Sequence, residues 1–421
     1  MSNKEAFYFY GLTLRLKHSL SEPMKKALLA FDKFKDALDA LGACETVSAV
    51  IREHSPDTEI RRMPLSDGGE GFAQILTAAA GGELKELKVA GPRLKPVQAQ
   101  YGWVQIEKLP SQVADILQIP AQGRLAVIEM AQAAGIESLH ASERDPWHTS
   151  SFGVGEMMAD AVASGADAIL LGIGGSATID LGVGALEALG LQFYDRDLQP
   201  VRQMTPARWK LAATVGSTLK LAGKMPPVRI ACDVRNPLVG DKGATRVFGP
   251  QKGLKARDIP RMERWVDKMA RRLLGCFGTD WDSYETELNR PGSGAAGGIA
   301  FGLRTALADV ELVAGFELFS LWCRLPENLD WADTIFTGEG GLDAGTLNGK
   351  GPGSLIQRAR PDQQVIFMAG RIDAEVQSRL SNEYPWVSCN ALSPAHWPLE
   401  KALRETRNQL ASRARDYILH S

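Results

Sequence analysis

Four short segments of the 421-residue chain gather glycines beside groups that can do chemistry on an anion. The first is Ser66-Asp67-Gly68-Gly69-Glu70-Gly71, and the second is Gly172-Ile173-Gly174-Gly175-Ser176-Ala177-Thr178-Ile179-Asp180. The third is Pro291-Gly292-Ser293-Gly294-Ala295-Ala296-Gly297-Gly298. The fourth runs Thr337-Gly338-Glu339-Gly340-Gly341-Leu342-Asp343 and continues to Asn348-Gly349-Lys350. Glycine admits positive φ and close backbone approach, and a helix N-terminus offers unpaired N–H groups with a partial positive charge. Placed at strand-to-helix junctions, such segments make anion cradles. Carboxylates beside them suit Mg²⁺, which takes one or two acids and shares its other positions between phosphate oxygens and water. A turn that merely joins strand to helix accounts for any one cluster, but four with acids, hydroxyls and lysines argue for a shared ligand.

Two familiar phosphate motifs do not account for these segments. The GxxxxGK[ST] loop is absent, since Gly345-Thr346-Leu347-Asn348-Gly349-Lys350 has the wrong spacing. Gly172-x-Gly174-x-x-Ala177 imitates a dinucleotide fingerprint, with Asp195 following about 20 residues on. A nicotinamide-dependent oxidoreductase would leave the other three clusters unexplained.

Apolar runs of strand length alternate with helical patterns, which is the signature of α/β architecture. Strands are expected at residues 27–31, 59–63, 168–172, 228–232, 334–336 and 365–369, several of them continuous runs suited to burial on both faces. Helices are expected at 38–53, 71–80, 154–164, 184–189, 260–274 and 352–358. Residues 84–104 read as a hairpin turning near Gly91-Pro92, and the polar stretch 107–122 as a surface insertion. Residues 1–23 read as an appended N-terminal extension.

The composition narrows the class of ligand. Glycine accounts for 42 of 421 residues, above the usual ~7%. A net charge of −2 gives no broad basic surface, which disfavours nucleic acid. No apolar run reaches the roughly 20 residues of a membrane span. Five scattered cysteines without a CxxC pair fit buried thiols in a reducing compartment, so a cytoplasmic protein acting on small molecules is expected.

Read in order, the clusters resemble the type I glycerate kinases over roughly residues 24–415. The family's Asp-x-Phe-Lys is matched by Asp32-Lys33-Phe34-Lys35, and its Ala-Asp-Gly-Gly-Glu-Gly by residues 66–71. Further matches are Thr149-Ser150-Ser151-Phe152-Gly153-Val154-Gly155-Glu156, residues 174–178, Ala231-Cys232-Asp233-Val234, Phe248-Gly249-Pro250-Gln251-Lys252-Gly253, residues 291–298 and 337–343. Two positions depart from the pattern. Asp36-Ala37 stands where the family has Gly-Ser or Gly-Thr, and Ile179-Asp180-Leu181-Gly182 where it has Asn-Asp-Gly-Gly.

The resemblance implies an ATP- and Mg²⁺-dependent kinase that phosphorylates D-glycerate at its 2-hydroxyl. Alternatives are a kinase-derived protein of altered substrate or regulatory role and the oxidoreductase. It also implies two α/β domains with the site in the cleft between them, whose closure would exclude water. One is a discontinuous Rossmann- or flavodoxin-like parallel-sheet domain, placed at 24–82 plus 291–421; the other, at 83–290, is inserted into it. A monomer or homodimer is expected.

Phosphoryl transfer rests on positioning and electrostatics. Asp180, Lys35 and Asp67 are the expected catalytic residues, and Asp233 and Glu339 the metal ligands, although the residues themselves leave open which carboxylate is base. Lys33, Gly68, Gly69, Gly174, Gly175, Ser176, Thr178, Lys252, Gly294, Gly297, Gly298, Asp343 and Lys350 are expected to hold substrate or nucleotide.

Overall fold

The computed structural model describes residues 24–66, 68–216, 224–348 and 351–420. The expected site residues Asp67 and Lys350, and the extension 1–23, lie outside the described residues. Two large sheets organise the chain. The first has five parallel strands in the order Val387–Ala391, Gln364–Ile372, Thr334–Leu342, Lys26–Phe31, Glu59–Arg62. Counted along the chain this is 2-1-3-4-5, the flavodoxin-like order, in which ligands bind beyond the carboxyl ends of the strands at the point where the order reverses. The loop after Lys26–Phe31, carrying Lys33 and Lys35, leaves from that point.

The second sheet runs Val310–Val313, Val228–Ala231, Ala168–Gly172, Arg124–Glu129, Pro96–Gln105, Glu83–Ala90. Its last two strands form the hairpin expected at 84–104; they pair antiparallel, while the other four run parallel. Register sets the chemistry. Glu129, Gly172, Ala231 and Val313 stand level across four neighbouring strands, so the loops that follow them leave side by side. A third, small sheet joins Pro200–Val201, Phe193–Tyr194 and Thr214–Val215.

Pairing also shows where each stretch sits. Val310–Val313 pairs with Val228–Ala231, so the chain rejoins the first sheet only at Thr334–Leu342, well beyond Pro291. Thr334–Leu342 itself runs six residues past the expected 334–336. Its pairing with Gln364–Ile372 continues through Glu339, Gly341 and Leu342, so the fourth glycine cluster is strand rather than a strand-to-helix turn. The third cluster lies between helices Tyr284–Asn289 and Ile299–Ala306, and is likewise not a strand-to-helix junction.

Residues 107–122 are not a surface insertion. Leu109, Val113 and Leu117 recur every fourth residue, and this apolar stripe is buried in the core along helix Ser111–Leu117. The Arg229 guanidinium, buried beneath it, donates to the Gln118 carbonyl at 2.9 Å. Among the described residues no helix is long and apolar enough to cross a membrane.

Candidate active site

The strand ends bring the first and second clusters into backbone contact. Gly174 N–H donates to the Gly68 carbonyl at 2.9 Å. A Cβ on Gly174 would lie 2.6 Å from both Cα and N of Gly69, so only glycine lets the two turns cross. Gly175 packs against Glu70 from the far side of the same crossing.

Lys252 fixes the next layer. It is only 2% exposed, and its Nζ donates to Ser176 Oγ and to the Thr178 carbonyl, each at 2.8 Å. Burial pulls its pKa down to about 7, and the charge of Asp180 opposes that fall. Asp180 is fully buried. Its carboxylate accepts from Ser151 N–H (2.7 Å), Ser151 O–H (2.8 Å), Gly182 N–H and Gly184 N–H (both 3.3 Å). Burial pushes its carboxyl above the ordinary range, against those four donors. Asp180 thus acts electrostatically on Lys252 and ties helix Val183–Ala188 to Ser151.

On the opposite side Lys33 forms ion pairs with Glu70 and with Glu137 Oε1, the latter at 2.7 Å. Burial is the largest single influence and pulls its pKa down, but the two carboxylates together hold it above its ordinary value. Gly340 backs this loop, with its Cβ position 3.2 Å from Lys35 N.

These groups enclose a cavity of about 300 Å³, whose walls include Lys33, Lys35, Gly174, Ser176, Asp233 and Lys252, with Gly69, Gly175 and Gln251 beside them. A second cavity of about 770 Å³ adjoins it, and the two share Lys33, Lys35, Glu70 and Glu137. The expected site residues are thus brought together in part. Gly68 and Thr178 support the walls through backbone contacts. Gly297 has φ +73° and a Cβ position 2.0 Å from the Thr178 carbonyl, while Gly294 packs on the Pro237 carbonyl and Gly298 on Leu181. Those three glycines make close packing behind the site; Ala295 and Ala296 are the members of that cluster on the wall. Glu339 accepts from Thr346 O–H at 2.7 Å, and Asp343 accepts from Gly345 N–H at 2.7 Å in an exposed turn; neither is among the wall residues.

For Mg²⁺ the fitting group is Asp233, on the wall, with Oδ2 accepting from Phe316 N–H at 3.0 Å. Among the described residues no cluster of three or more His, Cys, Asp or Glu is present. None is needed for an ion that takes one or two carboxylates and completes its shell with phosphate and water.

Two acids on the cavity walls, Glu70 and Glu137, and one buried acid that feels the charge of Glu70, Glu129, stand outside the sequence reading. Glu70 was visible inside the first cluster but had no assigned task. Glu137 lies in a loop with no motif. Glu129, 1% exposed, accepts from Ala73 N–H at 3.2 Å with Oε2, leaves Oε1 without a partner, and is pushed up to about 7 by burial. The two departures from the family pattern share one property. Asp36 (φ +60°) and Leu181 (φ +58°) both hold left-handed backbone where the pattern carries glycine.

Parallel sheets whose strand-end loops bring lysines and glycine turns to one cavity define an α/β protein with a site suited to a small anion. A family model described as the glycerate kinase family matches residues 27–419. The chain belongs to that family. It is similar to the glycerate kinase of Bacillus subtilis (strain 168), 34% identical over 395 residues covering 93% of this chain and 96% of the relative. The glycerate 2-kinase of Escherichia coli K12 is 34% identical over 352 residues, 83% of this chain and 86% of the relative. A crystal structure of a candidate glycerate kinase 2 from Salmonella typhimurium LT2 superposes with a TM-score of 0.66 at 31% identity, covering 94% of this chain and 98% of that one.

Proposed function

We propose that the protein transfers the γ-phosphoryl group of ATP to the 2-hydroxyl of D-glycerate, giving 2-phosphoglycerate and ADP. The observation that carries this reading is the lysine-lined cavity. Lys252, buried and braced by Ser176 and Thr178, faces Lys33 and Lys35 from the other sheet across a space of about 300 Å³. Both substrates are anions, and such pre-set cations stabilise charge spreading over the transferring group.

In the step, the substrate hydroxyl oxygen bonds to the γ-phosphorus while the bond from that phosphorus to the β–γ bridging oxygen breaks and ADP leaves. The hydroxyl proton goes to a carboxylate, a task the family pattern leaves open between Asp67 and Asp180. Asp233 would hold Mg²⁺, which supplies neutralisation of the phosphate oxygens. Asp180 also acts as a positioning residue through Lys252 and Ser151. A different 2-hydroxy acid is the second reading, motivated by Asp36-Ala37 standing where the family pattern has Gly-Ser or Gly-Thr. The five cysteines are free thiols, which suits the reducing cytoplasm.

The test incubates the protein with ATP, Mg²⁺ and a panel of 2-hydroxy acids, following ADP release and identifying the product by phosphorus NMR. ADP release with D-glycerate and a 2-phosphate product is expected. Release with none of the acids would overturn the kinase reading.

A further inference from the structure

Resting on the kinase reading, we propose that the adjoining cavity of about 770 Å³ is the pocket for the purine nucleoside of the phosphoryl donor, and that the smaller cavity takes the acceptor acid and the transferring group. The two differ in size and in their polar groups. The smaller joins Lys252, Ser176 and Asp233 to apolar walls such as Ile136, Ile173 and Phe248, and has room for a compact acid and one phosphoryl group. The larger sets an apolar stripe of Met63, Pro64, Ile75 and Ala78 opposite polar groups that include Asp36, Asp39, Gln74 and Asn328. An apolar stripe for a flat base, with hydrogen-bonding groups for its edge and for ribose hydroxyls, is what a nucleoside requires, and the volume falls within the ~300–1,000 Å³ of small-molecule sites.

The connection between them carries the argument further. Both cavities are bounded by Lys33, Lys35, Glu70 and Glu137. A chain of phosphates running from a nucleoside in the larger space to an acceptor in the smaller one must pass these two lysines, where cationic side chains are most useful. Helix Phe72–Ala79 makes the transition physical. It begins at Gly71, beside Glu70, and lays Gln74, Ile75 and Ala78 along the larger cavity, positions that share a face at helical spacing.

The experiment fills the larger cavity from that helix. Ala78 is exposed in the fold, so Ala78→Trp adds bulk to the cavity with no core residue displaced. Steady-state ADP release is measured with ATP varied at saturating D-glycerate and the reverse. The expected result is a KM for ATP raised about tenfold or more, a loss of roughly 1.4 kcal/mol, with the KM for D-glycerate unchanged. Gln74→Trp, on the same face, carries the same expectation should Ala78→Trp fail to fold. An unchanged KM for ATP, or a rise in the KM for D-glycerate alone or equally, overturns the assignment. Wild-type protein that releases no ADP defeats the kinase reading itself, whereas wild-type turnover with an indifferent tryptophan variant defeats only the nucleoside pocket.

Discussion

Replacing Lys252 by methionine removes one ammonium and keeps the side chain's length and volume. The native Nζ gives two of its three donors to Ser176 Oγ and the Thr178 carbonyl, leaving one for the cavity it lines. Losing a preorganised donor to a developing oxyanion costs about 10²–10³ in kcat, or about 3–4 kcal/mol of transition-state stabilisation. Stability should move far less. Two hydrogen bonds of about 1 kcal/mol each disappear, but so does the cost of burying a charge, and the net change stays within about 2 kcal/mol. The pH dependence separates this role from a structural one. Lys252 titrates at about 7 in the folded protein, against an ordinary 10.5. Below pH 7 both folded and unfolded chains carry the ammonium, and the fold bears the full burial penalty. From 7 up to 10.5 the unfolded chain holds a proton the folded one lacks, so this residue's contribution to stability improves as pH rises. Activity runs the other way. A cationic clamp predicts that kcat/KM falls as pH rises through about 7, with the kcat limb displaced upward because bound phosphate favours the charged amine. A coupled assay of ADP release across this range, on wild type and Lys252→Met, reads both parameters. A methionine variant that keeps wild-type kcat, or a wild-type kcat/KM that climbs through neutrality, would refute the clamp.

Three further outcomes follow from the same geometry. Gly174→Ala places a Cβ 2.6 Å from Gly69 backbone, which cannot swing aside; a loss of about 1–3 kcal/mol is expected, and an unchanged melting temperature would show the crossing is not load-sensitive. Asp180→Asn keeps the acceptor for Ser151 but deletes the charge that opposes Lys252's fall, so the alkaline limb of kcat/KM should move to lower pH; an unmoved limb refutes the coupling. Asp233→Asn should raise the Mg²⁺ concentration for half-maximal activity at least about tenfold, while Glu339→Gln, held by Thr346 away from the wall residues, should leave it alone; equal effects would reverse that assignment.

The α/β alternation and the central strands were legible because buried parallel strands read as unbroken apolar runs, as in Lys26–Phe31 and Ala168–Gly172. What misled was glycine. Its presence signals close backbone approach without saying what approaches. At Gly174 the partner is another turn of the same site; at Gly297 it is the Thr178 carbonyl behind the site; at Gly338 it is the carbonyl of Met368 on a neighbouring strand. Composition looks alike in all three. Asp180 shows the same limit: an acid after a glycine turn reads as catalytic, while the structure adds its complete burial among four donors, on which we propose a role as counter-charge to Lys252. Glu137 was invisible because it reaches the cavity from the loop after helix Met130–Ala134, where the pairing of strand Arg124–Glu129 with its neighbours carries it, a long-range fact.

The sequence reading expected a cleft that closes between two domains, and the packing limits how it can close. One apolar layer contains Leu28, Ile335 and Phe367 of the first sheet together with Val127 and Leu170 of the second, and helices Phe72–Ala79 and Gly315–Trp322 lie within it. The Trp322 indole N–H donates to the Leu76 carbonyl at 3.0 Å, joining those helices. Each such side chain contributes roughly 1.5–3 kcal/mol by its burial, so a closure that pulled this layer apart would be costly. The Lys33 pairs with Glu70 and Glu137 are different. They join a loop of the first sheet to loops at the second, are partly exposed, and such pairs are worth at most about 1 kcal/mol each. Arriving phosphates, which compete for the same ammonium, can break them. We therefore expect the loops at the strand ends, which carry Lys33 and Lys35, to rearrange most readily on binding, with the Gly68–Gly174 crossing as the frame beside them.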